Sequence, residues 1–563
     1  MKRFFCYIIL IGIAFQLYGK VGTGDLRERV YLQTDKQLYL AGEAIWMKLF
    51  TTNSDFIPIS FSKVAYVELI DSVAQIQIKV ELTNGVGQGR MQLSPDLPTG
   101  YYRLIAYTQF MRNEGSEVFF EKNIGIVNTF HSGDMPQASK TENNISPDET
   151  YDHGAVSLQT DQSTYTTRDH GELLLNGLPK DIHTLSVSIS GKDCVPVAEP
   201  DILSFRKKRS TILPEFTGKF LPEYEGHILT GKIVDNQTGV QVMDDVLLTS
   251  GLSFTGEGFR FFVGQKNETG DVRFYTSNIS GTKEIATIAY HSNDRYRVDI
   301  QSPFVFRHDS KQITALHVDS TYFRQLLERS VALQVFHYFS EDPSENITVT
   351  APIFKLKPSM SYPLDEYTRF TTMREVFIEF IVGARFRSRD GKREISLFTK
   401  RGNYLDFKTI PLVMLDGVPI SDHDIIYNYD PLSVEKINIY YGPCSLGGYL
   451  FDGIVELTTY RRLHQDLNLN KSTQIITYEG TQPHYRFFTT DYSDEKNRQS
   501  RLPDGRHTLL WNPDISTDGN SSIRLPFNTS DLTGEFQINV EGITKNGNVI
   551  FAKSSFIVEP AVQ

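Results

Sequence analysis

Residues with the potential for chemistry fall in three short stretches. Asp514-Ile515-Ser516-Thr517-Asp518-Gly519 has the spaced oxygen-bearing side chains and the glycine of a calcium loop, where carboxylates ring a hard cation and glycine permits a sharp turn. The bidentate glutamate that such a loop needs at its twelfth position is Leu525, so the stretch reads as a turn. Asp422-His423-Asp424 with Asp430 could gather a metal ion. Cys444 could be activated by His423 if the imidazole reached the thiol and a third group oriented it. The third stretch, VYLQTDKQLYLAGEAIW at 30–46, brings Asp35, Glu43 and Trp46 close together. Most of it is written again at 156 as VSLQTDQSTYTTR, and a reactive group is rarely written twice, which favours scaffold over chemistry. No HExxH, GxSxG or Walker loop occurs, and the 13 histidines are scattered without paired ligand spacing. The expectation is a chain that is not an enzyme and has no catalytic, cofactor-binding or metal-ligating residue.

The elements that would hold these residues are strands. With period two, Ile45, Met47 and Leu49 fall on one face and Ala44, Trp46, Lys48 and Phe50 on the other, as for a strand between a core and a partly covered outer surface. Val30–Thr34 reads as the strand before it. Between them Asp35 is expected to fold its carboxylate onto the amides that follow, and Gly42 to supply positive φ at the next bend. Val30, Leu32, Gln33, Thr34, Asp35 and Tyr39 recur at a constant offset of 126 as Val156, Leu158, Gln159, Thr160, Asp161 and Tyr165, so a whole β-module is duplicated.

At 563 residues, and roughly 100 to 200 residues per domain, the chain has room for about four domains. Its 28 Tyr and 37 Phe against 2 Trp favour strands, since aromatic side chains suit a pleated, half-buried surface. A formal net charge of -11 argues against nucleic acid or an anionic membrane as partner, and Arg206-Lys207-Lys208-Arg209 reads as a solvated loop. The opening MKRFFCYIILIGIAFQLYGK has the basic start and short apolar run of a secretory signal, with cleavage near Gly19. Cys6 lacks the small residues a lipoprotein signal places before its cysteine. Past that point no run of 18 apolar residues occurs, so no transmembrane helix is expected. Cys194 and Cys444 alone make no disulfide framework, which leaves stability to hydrophobic cores.

Three families are resembled. V-Y-x-Q-T-D-K-x-x-Y-x-x-G-E from Val30, SKVAYVELID at 62–71 and LPTGYYRLIAYT at 97–108 resemble the second macroglobulin domain of the α2-macroglobulin family, which implies a seven-stranded antiparallel sandwich. The copy from about 155 resembles that family's next domain, with Arg168 where the first copy has Gly42. Protease-trapping members carry a Gly-Cys-Gly-Glu-Gln thioester; GKDCVPV around Cys194 and GPCSLGG around Cys444 do not match it, so the trap mechanism is not implied. EGHILTGKIVDNQTGVQV from 225, with NETGD at 267–271, resembles the carboxypeptidase regulatory-like sandwich, a structural module with a strand, a turn at Thr238-Gly239 and a second strand. Gln241 stands where that family has proline. Within 411–460, PLVMLDGVPI, DPLSVEKINIYYGP and GGYLFDGIVELTTY resemble the plug domain of TonB-dependent outer-membrane receptors. That resemblance implies a variable exposed loop at Asp422–Asp424 and a small-residue turn at Cys444. A 22-stranded barrel takes roughly 220 residues. About 100 follow Tyr460, so a barrel is not expected in this chain.

Two helices are expected. One covers 319–339, with Leu326, Leu327, Val331, Leu333 and Phe336 on its apolar face and Asp319 or Ser320 as N-cap. The other, near 373–382, is opened by a Thr372/Glu375 capping box and closed by Gly383. In the tail, Asp504-Gly505, Asp518-Gly519 and Asn546-Gly547 separate alternating segments; the last two read as hairpins and the whole as one more sandwich.

The fold class read from sequence is therefore mainly β and multi-domain, with antiparallel macroglobulin/Ig-like sandwiches and a small α/β plug-like domain. The expected parts are a signal at 1–19, a macroglobulin-like sandwich at 20–128, a linker at 129–153 and a second macroglobulin-like module at 154–223. A regulatory-like sandwich at 224–308, a helix and plug-like domain at 309–465 and a C-terminal sandwich at 466–563 complete it. The expected role is non-catalytic docking to an outer-membrane protein or β-barrel assembly, in the periplasm or at the outer membrane of a Gram-negative cell. The alternative is a surface glycan-binding protein, for which Tyr440-Tyr441 or Tyr101-Tyr102 would supply aromatic platforms.

Overall fold

The computed structural model describes residues 27–71, 74–130, 156–192, 201–207, 214–243, 249–256, 260–267, 269–277, 279–290, 294–305, 316, 322–339, 345–347, 357–389, 391–397, 411–446, 449–462, 467 and 469–561. The signal segment, nearly all of the linker, Cys194 and the caps Asp319 and Ser320 lie outside the described residues. The chain is mainly β and multi-domain. It divides into two compact units, one of Met1–Tyr224, Phe306–Val349 and Gln482–Gln563, the other of Glu225–Val305 and Thr350–Thr481.

The first unit opens with eight strands: β1 (Arg29–Thr34), β2 (Leu38–Leu40), β3 (Ala44–Thr52), β4 (Val64–Ile70), β5 (Ala74–Glu81), β6 (Val86–Gln92), β7 (Gly100–Tyr107) and β8 (Phe120–Val127). They form two sheets, in the orders β1-β3-β6 and β2-β8-β7-β4-β5. The chain leaves the first sheet after β1, adds β2 to the second sheet parallel to β8, then returns as β3. This excursion explains the quoted motif. Asp35 sits where the chain departs and Gly42, at φ +90°, where it comes back.

The second copy begins with β9 (Ser157–Thr160), β10 (Thr164–Thr166), β11 (His170–Asn176) and β12 (Ile182–Gly191). Apart from the β9–β11 pair, its strand pairings among the described residues are made outside 154–223. The partners there are Thr508–Asn512, Ser522–Asn528, Gly534–Thr544 and Val549–Glu559, far along the chain. The completed sheets repeat the first sandwich strand for strand: 164–166, 549–559, 534–544, β12 and 508–512 in one, and 522–528, β11 and β9 in the other. The modules expected at 154–223 and 466–563 are thus two halves of one eight-stranded sandwich, interrupted between its fourth and fifth strands. Leu173, Leu175, Leu185, Val187 and Ile189 from the first half share its core with Phe527, Ile538, Val540 and Phe556 from the second. Asn546-Gly547 makes the expected hairpin between 534–544 and 549–559. Asp518-Gly519 does not: its left-handed turn carries the chain from one sheet to the other.

Helix Phe323–Phe339 packs on the first sandwich with a face different from the expected one. Leu326, Arg329 and Ser330 are buried, whereas Leu327 is 48% and Val331 59% exposed. Leu326 joins Leu38, Leu40 and Val127. Spacing alone does not distinguish two adjacent apolar stripes; the strand edge it meets does.

In the second unit, 228–235 lies between 271–275 and 296–300 in one sheet, and 250–254 between 261–263 and 282–289 in another, to which Thr473–Glu479 adds the fourth strand. The Asp235-to-Gly239 turn explains the sequence pattern: Asp235 Oδ1 accepts from the amides of Gln237 at 2.8 Å and Thr238 at 3.1 Å, and Gly239 takes φ +70°. Of the strand expected after it, the described residues hold a single bridge, Val234 to Gln241. A five-stranded sheet runs 360–363, 434–446, 449–459, 412–415, 418–420, with 412–415 parallel to 449–459. Asp416-Gly417, both at positive φ, turn 412–415 back on itself, and the Asp416 carboxylate clamps the amide of Thr459 at 2.7 Å and its hydroxyl at 2.6 Å. Helix Met373–Glu379 has the Thr372/Glu375 capping box, but ends at Glu379 without using Gly383. Gly383 instead lets the Tyr441 side chain approach closely: a Cβ there would lie 1.6 Å from its hydroxyl, and the ring would have to move.

Candidate functional site

The two aspartates of the repeated motif act alike. Asp35 Oδ1 accepts from the Tyr39 hydroxyl at 2.7 Å and the Trp46 amide at 3.1 Å; Asp161 Oδ1 accepts from the Tyr165 hydroxyl at 2.5 Å and the Glu172 amide at 2.8 Å. The spacing is four residues, then eleven, in both copies. Each carboxylate therefore closes the excursion between sheets by holding the strand that returns, rather than the amides just after it as the turn signal suggested. At the second bend of the copy, Arg168 adopts φ +57°, a strained value for a side chain with a Cβ. A two-pronged pair with Asp531 (2.6 and 2.8 Å) and the carbonyl of Leu502 (2.8 Å) hold it there.

What differs between the copies is burial. Around Asp35 a cluster of charges is shut into the first unit. Glu43 accepts from Arg329 at 2.9 and 2.7 Å, and the Lys36 ammonium lies 3.3 Å from Glu43, 3.5 Å from Asp35 and 3.4 Å from the Thr508 hydroxyl. Thr508 in turn donates to Asp35 at 2.6 Å. Burial by itself would raise the Glu43 carboxyl; Arg329, then Lys36, overcome it and hold the group well below the usual carboxylate range. His507 is pushed far below its ordinary value by burial, with Arg329 and Lys36 adding to the effect, so its ring is neutral at neutral pH. Asp161 has no charged neighbour of this kind among the described residues.

A cavity of about 490 Å3 opens beside this cluster. Lys36, Glu43, Arg506 and His507 line its inner part, and Trp46, Arg90, Phe336, Phe487 and Phe488 supply aromatic and cationic walls. Phe487 meets the Trp46 ring edge-on at 5.3 Å, and the Arg90 guanidinium lies 5.6 Å from the centroids of Trp46 and Tyr485. Arg506 is tied to Asp504 through Nε (2.8 Å) and Nη2, while its Nη1 and the His507 Nδ1 have no hydrogen-bond partner among the described residues. Trp46 and Glu43 were conspicuous in the sequence. Arg329, Arg506, His507 and Phe487 were not, because they come from segments 280 to 460 residues away whose local patterns carry no sign of the meeting.

The other sequence candidates are placed apart. His423 is not on an exposed loop: it is 2% exposed, its Nδ1 accepts from the Ile395 amide at 2.9 Å, and burial lowers its pKa to about 4. Asp430 caps the turn at Pro431 through the Leu432 amide, and Asp422 accepts from the Asp424 amide. Cys444 is half-buried beside Phe451 and Tyr440, its thiol directed to the Gly442 carbonyl at 3.6 Å and its pKa raised by burial. Ser516 donates to Asp518 at 2.9 Å, and Leu525 pairs with Leu173 inside the sandwich. Neither tyrosine pair forms an open platform. Tyr102 and Tyr440 are buried, with hydroxyls on the Pro98 carbonyl and on Glu456.

No family model and no curated protein matches the chain. Among solved structures it is similar to Salmonella alpha-2-macroglobulin reacted with methylamine, at 8% identity and a TM-score of 0.25, over 96% of this chain and 40% of that one. It is also similar to Escherichia coli alpha-2-macroglobulin activated by porcine elastase, at 9% identity and a TM-score of 0.25, over 95% of this chain and 44% of that one. The chain spans less than half the length of these proteins.

Proposed function

We propose that the chain is an exported, non-catalytic scaffold of a Gram-negative cell envelope, and that it docks onto an outer-membrane β-barrel assembly through its plug-like α/β module. The supporting observation is the surface of that module. Its core is closed by Val376, Phe377, Val413, Leu415, Ile437 and Val455, yet Ile378 remains 59% and Val382 78% exposed. Apolar side chains held out by a well-packed element are what a contact surface needs. The regulatory-like sandwich and the duplicated macroglobulin-like sandwich serve in this reading as carriers. Crosslinking in intact envelopes followed by affinity purification tests it. A β-barrel protein should be recovered with the wild-type chain and lost with I378E/V382E; recovery of the chain alone from wild type refutes docking.

Small-ligand binding, with a glycan as one candidate, is a second function, favoured by the cavity beside Trp46. Aromatic walls around a few buried polar groups are the usual make-up of such sites, and its volume falls in their range of about 300–1,000 Å3.

A further inference from the structure

We infer that the cavity beside Trp46 binds a monovalent carboxylate carried on a ring with an apolar face, with the carboxylate at Arg506 and Lys36 and the ring against Trp46 and Phe487. This rests on the ligand-binding function just described and specifies its chemistry. The inner end supplies donors. Arg506, its side chain 10% exposed, has an unused Nη1 edge, and the Lys36 ammonium, 6% exposed, makes only long contacts of 3.3 to 3.5 Å that an incoming oxygen would shorten. His507 adds a neutral nitrogen with no partner among the described residues. The donors of Lys36 and Arg506 face the cavity, which favours an anion over a cation. Glu43 also lines the cavity, so a dianion such as a phosphate monoester would face a like charge, whereas one carboxylate matches the one guanidinium nitrogen, buried Nη1, that has no partner among the described residues. Towards the outside, where Phe488 is 55% exposed, the aromatic rings of Trp46 and Phe487 stand beside the Arg90 guanidinium, and the rings accept the apolar face of a sugar or an aromatic ring.

A uronic acid and an aromatic acid share this chemistry, and a titration separates them. Trp46 and Trp511 are the two tryptophans, so W511F in the full chain leaves fluorescence that reports the cavity alone. D-galacturonate, phenylacetate and D-galactose are titrated to 10 mM, with calorimetry on the wild-type chain in parallel. At least one acid should shift Trp46 emission saturably, with galactose bound at least tenfold more weakly; whichever acid binds more tightly identifies the ring. R506Q should weaken the acid about 10- to 100-fold, as for loss of a charge-assisted hydrogen bond. Because Arg506 also pairs with Asp504, F487L is the companion variant, expected to weaken the acid while leaving the unfolding midpoint unchanged. Equal affinity for galactose and galacturonate overturns the carboxylate assignment and leaves ligand binding standing. Absence of a saturable response to all three overturns both, and binding unaffected by both variants overturns this site.

Discussion

Lys48 offers the most direct test of how the first unit is built. It lies on β3 opposite Gln33 and Gln88, on the face that also carries Phe50. That face is covered by the second sandwich: Tyr31 donates to Glu541 at 2.7 Å, and Ser186 bonds to Gln33. Lys48 is 1% exposed and its ammonium has no hydrogen-bond partner among the described residues. Burial lowers its pKa from 10.5 to about 7, against the opposing pull of Asp514 and Glu541, and His183 is lowered first by its own burial and then by Lys48. Depressing an ammonium by that much costs the folded state on the order of 5 kcal/mol when the amine is charged in the unfolded chain. The penalty is complete below about pH 7, where both states are protonated, and fades as pH rises towards 10.5, where neither is. Lys48→Met keeps the length of the side chain and removes the charge. Allowing for relaxation around the buried ammonium, the variant should be more stable than wild type by on the order of 2–4 kcal/mol at pH 6. The gain should shrink steadily between pH 7 and pH 10. Urea unfolding at pH 6, 8 and 10, followed by Trp46 and Trp511, which both belong to this unit, measures it. A variant less stable than wild type at pH 6, or a difference that does not change with pH, refutes the account.

Other outcomes follow from single contacts. Asp161→Asn keeps an oxygen that can accept from Tyr165 and Glu172 but removes the charge that strengthens both bonds, and should lose about 1 kcal/mol at pH 7. Although burial would raise Asp161, Tyr165 and Glu172 lower it. Its contribution is therefore present above the unfolded value of about 3.9 and lost as pH falls through the lower folded value, so acid unfolding curves of wild type and variant should converge at the acid end. Arg329→Met leaves buried Glu43 with Lys36 as its cationic neighbour and the Leu40 amide as a donor among the described residues, and should destabilise by about 3–5 kcal/mol, with R329M/E43Q recovering part of the loss in a denaturant melt. A side chain at Gly505 would put its Cβ 2.3 Å from that of Ala332, so Gly505→Val should loosen helix Phe323–Phe339, seen as faster amide hydrogen exchange over that helix. Arg168→Gly relieves about 1–2 kcal/mol of left-handed strain but removes the bonds to Asp531 and Leu502, and a lower unfolding midpoint is expected.

Much of the local architecture was legible because it is written in short-range terms. Alternation located β1 and β3, the Thr372/Glu375 pair located a helix start, and Asn546-Gly547 marked a hairpin turn in which Gly547 takes φ +78°. The repeat at an offset of 126 announced a second sandwich, since the same period-two burial and the same sheet-to-sheet excursion demand the same residues. Its completion was not legible. Any strand with one apolar face can pair with any other, and only packing decides that β12 meets 508–512 and 534–544 across an interruption of more than 300 residues. The same holds for faces. Lys48 and Phe50 read as outward, and outward they are from their own sandwich, but a second sandwich covers them. The cavity beside Trp46 belongs to this class of fact: its walls come from 36–92, 333–337, 487–488 and 505–508, and neither the burial that lowers His507 nor the Arg329 guanidinium that lowers Glu43 acts until those segments have met.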